Sequence, residues 1–295
     1  MKRRSFLATT AAATTSLLAD HHGTTKKPSS GILLSVKYGM CGEGKTPEEK
    51  MKLLKEIGYD GVEFHAPSGD QVAVAKAASK ATKFPIHGVV NGIHWNVKLS
   101  SASGEERAAA LTGLKTCISE SHALGGSSVL LVPGVVGKDV THQQAWDRSI
   151  EGIKQALPLA ARLGIHILIE NVWNGMFYDP KGPNTQSAEQ LAKYLDEINS
   201  PWVGSYFDIG NHQRFGKPAE WIRTLGKRIV KLDVKDWGVK GGFGKIGEGD
   251  VDWPAVRSAL RDINYTGWAT AEVGGGKKER LAEVLKNMQT HLLGK

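Results

Sequence analysis

The chain has 295 residues and a formal net charge of +8, with 40% hydrophobic and 23% charged residues. These are ordinary values for a globular protein, and they exclude extended disorder, a collagen-like repeat and a protein with many membrane spans. The length fits one large α/β domain, since α/β barrels reach about 250 residues as single domains. Two cysteines, Cys41 and Cys117, are too few for a disulfide framework.

The first 30 residues are interpreted as an export signal followed by a polar linker. Arg3 and Arg4 precede an Ala/Thr/Leu-rich run that ends near Asp20, which is the order of a charged segment and an apolar segment in signal peptides. The arginine pair resembles the twin-arginine export signal. We therefore predict a signal and linker over residues 1–30, a mature domain over residues 31–295, a periplasmic location and no stable membrane span after processing. A transmembrane anchor is the alternative, but the apolar run is short and rich in threonine.

From residue 31 onward, short apolar runs alternate with helix-like stretches. In chain order the predicted units are strand 32–38 and helix 46–57, strand 61–64 and helix 71–82, strand 85–90 and helix 104–124, strand 128–132 and helix 142–163, strand 165–169 and helix 187–198, strand 203–207 and helix 219–225, strand 228–234 and helix 253–262, and strand 267–271 and helix 278–293. Eight strand–helix units predict a (β/α)8 TIM barrel in a single domain. A doubly wound sheet is the alternative, but no Gly-x-Gly-x-x-Gly motif follows the first strand.

Acidic residues follow the last four predicted strands. Glu170, Asp208, Asp233 and Glu272 each come after a largely apolar run, at the strand ends where TIM-barrel enzymes carry their chemistry. Burying four carboxylates together is unfavourable without a compensating charge, so we predict that one divalent cation neutralises them. An all-oxygen ligand set favours Mn²⁺ or Mg²⁺, with Co²⁺ and Zn²⁺ as alternatives. For any one of these acids alone, a helix cap or a surface salt bridge is the alternative.

Six motifs in fixed order carry a family resemblance. They are Val-Glu63-Phe-His65, Ile-Glu170-Asn171, Phe-Asp208-Ile-Gly-Asn211, Val-Lys-Leu-Asp233-Val-Lys235-Asp236, Gly247-Glu-Gly-Asp-Val-Asp252-Trp253, and Tyr265-Thr-Gly-Trp-Ala-Thr-Ala-Glu272. Together they resemble the sugar phosphate isomerase/epimerase family, a xylose isomerase-like TIM barrel family that includes ketose 3-epimerases. The resemblance extends from about Gly31 to the C-terminus.

The resemblance implies a metal-dependent sugar isomerase or epimerase. The Glu, Asp, His and Glu metal ligands of the family correspond to Glu170, Asp208, position 233 and Glu272, and this chain has Asp233 where the family usually has histidine. Glu170 and Glu272 would act as base and acid on opposite sides of the substrate, with an enediolate between the two proton transfers.

Histidines, tryptophans and one lysine near the same strand ends are candidate sugar contacts. They are His65, His87, His94, Trp95, Trp173, His212 and Lys235. Such side chains bind sugars through hydrogen bonds and ring stacking. The alternatives are a core role for His87, a metal-ligand role for His212, and a salt bridge to Asp236 for Lys235.

Several function classes remain open. An exported isomerase or epimerase would act on a non-phosphorylated sugar or keto-sugar, because phosphorylated intermediates stay in the cytoplasm. A phosphate site at Gly274–Gly276, before Lys277 and Lys278, is the counter-argument. A metal-dependent lyase or hydrolase acting on a keto-sugar derivative, and a sugar-binding barrel without turnover, are the other classes. Basic residues are not clustered with aromatic ones, so no nucleic-acid partner is predicted, and a homo-oligomer is left open.

Overall fold

A closed cylinder of eight parallel strands forms the centre of the protein. The computed structural model describes residues 31–295, and the predicted export signal and linker lie outside them. The strands are β1 (Ile32–Lys37), β2 (Gly61–Ala66), β3 (Ile86–Asn91), β4 (Ser128–Leu131), β5 (His166–Glu170), β6 (Val203–Asp208), β7 (Ile229–Val234), β8 (Asp236–Gly238), β9 (Gly242–Gly244) and β10 (Gly267–Ala271). The barrel order is β1-β10-β7-β6-β5-β4-β3-β2, and β8 and β9 form a separate antiparallel hairpin. This confirms the predicted single-domain (β/α)8 fold.

Helices connect the barrel strands. They are α1 (Pro47–Ile57), α2 (Gln71–Thr82), α3 (Gly104–Leu124), α4 (His142–Leu163), α5 (Glu189–Ile198), α6 (Ile209–Gln213), α7 (Pro218–Leu225), α8 (Trp253–Asp262) and α9 (Lys278–Asn287). The predicted start of α1 is explained by a capping box, in which Thr46 accepts from the Glu49 N–H and the Glu49 carboxylate accepts from the Thr46 N–H. Among the described residues, no helix has both the length and the apolarity that a membrane crossing requires.

Three features differ from the predicted elements. The β8–β9 hairpin was not predicted, because strands of three residues are too short to show a period. Helix α6 was also missed, because it begins directly at the end of β6, where the Asp208 carboxylate accepts the Asn211 N–H at 2.7 Å and caps it. The closing helix ends at Asn287, and a π-helical turn continues from Met288 to Leu293.

Polar side chains occupy the barrel interior below the strand ends. Side chains two residues apart in a strand share a face, so Lys231 points to the same interior as Asp233. Lys231 Nζ is 2.8 Å from His87 Nδ1 and donates to the His87 carbonyl at 2.7 Å. His87 Nε2 lies 2.8 Å from Ser35 Oγ, and Thr270 Oγ1 lies 2.8 Å from the same hydroxyl. The interior is therefore a hydrogen-bonded polar layer beneath the functional rim.

Candidate active site

Four carboxylates meet at the C-terminal end of the barrel. Glu170 ends β5, Asp208 ends β6, Asp233 lies in β7 and Glu272 follows β10, and these strands are neighbours in the barrel. One carboxylate oxygen of each residue lies within 4.8 Å of those of the other three. Asp208 and Asp233 are fully buried, whereas 40% of the Glu272 side chain is exposed. The structure thus brings the four predicted ligands into one group, which we call the carboxylate cluster.

Two lysines contact this cluster. Lys37, at the end of β1, lies 2.5 Å from Glu63 and 2.9 Å from Asp233. Lys235 lies 2.8 Å from Asp208 and 2.7 Å from Glu272. Sequence reasoning did not assign a role to Lys37 or Glu63, although both stand at strand ends just as the four acids do. Because five carboxylates share two ammonium groups, the site keeps an excess of negative charge.

Burial, together with the neighbouring charges, shifts the pKa of these acids. Burial raises the pKa of Asp208 to about 6, although the Lys235 ammonium opposes the shift. Burial and the charge of Glu272 raise the pKa of Glu170 well above its ordinary value. Burial acts in the same direction on Glu272, but the ammonium groups of Lys37 and Lys235 hold its pKa below the ordinary value. Burial likewise raises the pKa of Asp233 well above its ordinary value, and all three buried acids with raised pKa values would gain from a further cation.

The cluster also has unused acceptor atoms. Asp208 Oδ2, Asp233 Oδ1 and Glu272 Oε2 are buried, and within the described residues they accept no well-directed hydrogen bond, although a lysine lies at ion-pair distance from each. Buried polar atoms in proteins nearly always have a partner. Carboxylate oxygens on adjacent strands, paired here only with lysine ammonium groups, fit the ligand set of a hard divalent cation such as Mg²⁺ or Mn²⁺.

Two asparagines hold the ligands in place. The side chain of Asn171 donates to the Asp208 carbonyl at 2.9 Å and accepts from the Asp208 N–H at 2.8 Å. The side chain of Asn211 donates to Glu170 Oε1 at 3.4 Å and to the Asn171 carbonyl at 3.0 Å. Partners of this kind orient metal ligands. Both asparagines stand in the quoted motifs, and their position directly after or near an acid is the signal that could have identified them.

Three predicted sugar contacts lie around the mouth of the barrel. His94 Nδ1 accepts the Val132 N–H at 3.1 Å, which leaves the ring proton on Nε2. Burial lowers the pKa of His94 to about 4 while Glu272 opposes the shift, so the ring is neutral and lies within the electrostatic range of the cluster. Trp95 is 48% exposed with its ring centroid 5.6 Å from that of His94. His65 is exposed and stacks on Phe64.

Two other predicted contact residues, His87 and His212, are buried. His87 is buried in the polar layer and stacks on Trp268 with ring centroids 4.4 Å apart. His212 is fully buried against Trp221 at 3.9 Å, and neither ring nitrogen has a hydrogen-bond partner among the described residues. Burial lowers the pKa of His212 to about 3. The structure thus places both rings in the protein interior, and sugar contact by His87 and His212 stays a prediction.

An aromatic wall stands beside the cluster. Trp173 Nε1 donates to the Asn211 carbonyl at 2.8 Å. Its ring contacts the Arg214 guanidinium at 4.5 Å and the Phe243 ring at 5.0 Å. Phe243 lies in β9, and Lys235 Nζ is 5.4 Å from its ring centroid. Trp173 and Lys235 were predicted at this rim, whereas Phe243 was missed, because a single aromatic residue between two glycines gives no recognisable pattern.

Comparison with known proteins identifies the family of this barrel. The sequence matches the family described as xylose isomerase-like TIM barrel over residues 51–291, which is most of the chain. The chain belongs to this family. Membership agrees with the closed eight-stranded barrel and with the resemblance drawn from the motifs.

Named relatives within this xylose isomerase-like fold include sugar epimerases. The chain is 27% identical over 259 residues to the L-ribulose-5-phosphate 3-epimerase UlaE of Salmonella paratyphi C, covering 81% of this chain and 86% of that protein. A D-allulose 3-epimerase from Methylomonas sp. in complex with D-allulose has a TM-score of 0.70 at 18% identity, covering 88% and 97% of the two chains. The IOLI protein with a zinc atom has a TM-score of 0.74 at 16% identity, covering 89% and 98%. At these identities the two solved structures establish the shared fold alone.

Proposed function

We propose that the protein is a divalent-metal-dependent isomerase or epimerase that acts on a non-phosphorylated sugar or keto-sugar. The observation that carries the proposal is the carboxylate cluster, in which one carboxylate oxygen from each of Glu170, Asp208, Asp233 and Glu272 lies within 4.8 Å of the other three. Its place at the C-terminal end of the barrel strands is where TIM-barrel enzymes hold their active sites. The names of the epimerase relatives support the reaction class.

The arrangement of the cluster suits proton transfer next to a carbonyl. A bound divalent cation would supply a Lewis acid that polarises the carbonyl and the neighbouring hydroxyl of a sugar. Glu170 and Glu272 come from strands that are separated by β6 and β7, so a substrate carbon between them has a carboxyl group on each side. One removes the proton and the other returns it. His94 Nε2–H and the Lys235 ammonium are donors for the sugar hydroxyls.

The region after β10 supports a substrate without phosphate. The first N–H of α9, that of Lys278, donates to the Glu43 carboxylate at 3.0 Å, and Lys278 Nζ pairs with Glu56 at 2.6 Å. The positive end of this helix therefore already holds an anionic group. The glycine-rich turn has a separate explanation, because a Cβ atom at Gly275 would lie 2.2 Å from the Met40 carbonyl oxygen. The turn is needed for close backbone packing.

Metal analysis and product analysis test the proposed reaction. The purified protein is expected to carry about one divalent ion per chain, and Glu170→Gln and Glu272→Gln should lower both this content and the interconversion of free ketoses with Mn²⁺. Glu220→Gln is the matched control, since that side chain is 65% exposed and pairs with Lys217 on the surface. Equal metal content in all four proteins would contradict the proposal.

Substrate phosphorylation is tested on matched pairs of free and phosphorylated ketoses. The free sugars are expected to have the higher kcat/KM, because the helix end after β10 is occupied by Glu43. A much higher kcat/KM for the phosphorylated sugars, lost on changing Lys277 and Lys278 to alanine, would overturn this part of the proposal.

The periplasmic location is a separate proposal that depends on Arg3 and Arg4. A reporter fused to the full chain should be exported, and changing both arginines to lysine should abolish export. Unchanged export of the double variant would contradict the twin-arginine interpretation.

A further inference from the structure

A cleft of about 550 Å³ opens directly beside the carboxylate cluster. The residues that line it include Lys235, Glu272, Phe243, Lys245, Val273 and Arg280. Pockets of about 300–1,000 Å³ are typical for bound small molecules. Because Glu272 belongs to the cluster and Lys235 contacts it, this cleft, which we call the hairpin cleft, is continuous with the candidate active site.

Phe243 gives the hairpin cleft an exposed aromatic wall. The side chain is 49% exposed, and the Trp173 ring covers one side of it at a centroid distance of 5.0 Å and an interplanar angle of 23°. Aromatic side chains are common in the lining of pockets that bind small molecules. The C–H face of a sugar ring packs well against such a ring, whose π-system carries partial negative charge.

The hairpin that carries Phe243 is held firmly. The Asp236 carboxylate, at its base, accepts the Gly247 N–H and the Trp253 indole N–H, each at 2.9 Å. The Asp250 carboxylate accepts the Val239 N–H at 2.7 Å at the other end of β8. The position of Phe243 is therefore set before a ligand binds, which lowers the entropy cost of binding.

The charges around the hairpin cleft favour a neutral ligand. Lys245 and Arg280 each lie 2.7 Å from Glu283, and Arg280 Nε also donates to the Gly274 carbonyl at 3.0 Å. Lys235 is paired with Asp208 and Glu272. The three cations that line the cleft, Lys235, Lys245 and Arg280, are thus balanced by three carboxylates, Asp208, Glu272 and Glu283, so this group of side chains has no net charge with which to attract a phosphate. Hydroxyl groups can still accept and donate hydrogen bonds here.

We propose that the hairpin cleft is a subsite for a second, neutral sugar ring joined by a glycosidic bond to the sugar that reacts at the carboxylate cluster. Phe243 stacks on this second ring and so determines specificity for glycosylated over single sugars. The inference rests on the proposed function in that it takes the cluster as the reacting site. It names the substrate class as a neutral keto-glycoside or keto-disaccharide.

Calorimetric binding to the metal-loaded full chain tests the subsite. The probes are D-fructose and two disaccharides that contain it, lactulose and isomaltulose, together with fructose 6-phosphate. At least one disaccharide should bind about tenfold more tightly than fructose, as expected for one ring-stacking contact. Phe243→Ala should remove this difference, whereas Val239→Ala should keep it, because Val239 is 76% exposed on the same hairpin and does not line the cleft.

The outcomes separate the subsite from the reaction. Equal binding of fructose and both disaccharides, or a preference that Phe243→Ala leaves unchanged, overturns the subsite even if ketoses are interconverted. Tightest binding of fructose 6-phosphate, lost in Lys245→Ala or Arg280→Ala, overturns it in favour of a phosphate site. Disaccharide binding that depends on Phe243 without any turnover supports the subsite and contradicts the isomerase proposal.

Discussion

The charge of a single residue, Asp233, sets this site apart from the ligand pattern of the family it resembles. Where the family usually has a neutral histidine, this chain has a carboxylate, and Lys37 Nζ lies 2.9 Å from Asp233 Oδ1 and 3.0 Å from Oδ2. Lys37 Nζ also lies 2.5 Å from Glu63, so its positive charge is shared between two buried carboxylates. The lysine therefore reduces the negative charge that Asp233 offers to a cation.

Replacing Lys37 by methionine is expected to strengthen binding of Mn²⁺ about tenfold or more, because a positive charge next to a ligand is removed from a buried site. Titration calorimetry of the folded variant measures this change. Lys52→Met, at a lysine side chain that is 64% exposed, is the matched control. An unchanged affinity in Lys37→Met would show that Lys37 does not compete with the cation.

Acid should weaken cation binding through Asp208. Its pKa is raised to about 6 by burial, so without a cation the carboxyl group takes up a proton as the pH falls through 6. A cation must then displace that proton, so its apparent affinity falls between pH 7 and pH 5 and binding releases protons. Calorimetry in buffers with different ionisation enthalpies counts the protons. Binding at pH 6 without proton release would contradict this expectation.

At the scale of elements, long periodic segments were predictable and short ones were not. The predicted bounds of α2, α3, α4 and α8 agree with the structure to the residue. In α3, α4 and α8 a side-chain N-cap, from Ser103, Thr141 and Asp252, marks the start, whereas α2 has no side-chain cap. The hairpin depends instead on distant hydrogen bonds, since Asp236 reaches the indole of Trp253. A local sequence pattern does not reveal that contact, which is why the β8–β9 hairpin and the aromatic residue on it, Phe243, were not predicted.

Gly249 is expected to be essential for the hairpin. A Cβ atom there would lie 2.2 Å from Asp236 Oδ1, so Gly249→Ala should displace this carboxylate and destabilise the protein by about 1–3 kcal/mol. Gly241→Ala is the control in the same hairpin, where a Cβ atom would meet no described atom within 4 Å. Urea unfolding followed by tryptophan fluorescence compares the two. Equal midpoints would mean that Asp236 adapts without cost.

At the scale of the whole molecule, closure of the barrel assembles the site. The predicted acids follow adjacent strands, so their convergence could be expected from the fold class. Lys37 could not be assigned in this way, because it stands 196 residues from Asp233 in the sequence. Only the pairing of β1 with β10, and of β10 with β7, brings the two side chains together. Contacts between the first strand and the last strands of the barrel join distant parts of the sequence, and local sequence patterns therefore do not reveal them.

A cation held by four strands should stabilise the entire barrel. Binding only to the folded state at a free Mn²⁺ concentration 100 times the dissociation constant contributes about 2.7 kcal/mol. We therefore expect Mn²⁺ to raise the melting temperature in scanning calorimetry and EDTA to reverse the shift. Asp208→Asn should abolish the increase, whereas Asp262→Asn, at a half-exposed surface acid, should keep it. An equal increase of the melting temperature in both variants would show that the stabilising cation binds outside the carboxylate cluster.

The hydrogen bonds of Asp236 have a consequence for how new specificities could arise in this barrel. This one fully buried carboxylate accepts from the backbone of Gly247 and from the side chain of Trp253, so the chain between the end of β7 and the start of α8 forms a loop whose two ends meet at a single side chain. Such a segment can change in length and composition while its attachment to the strands stays the same. The segment 236–253 is therefore suited to loop exchange between related barrels. A transplanted segment would include both Asp236 and Trp253, whose hydrogen bond joins its two ends.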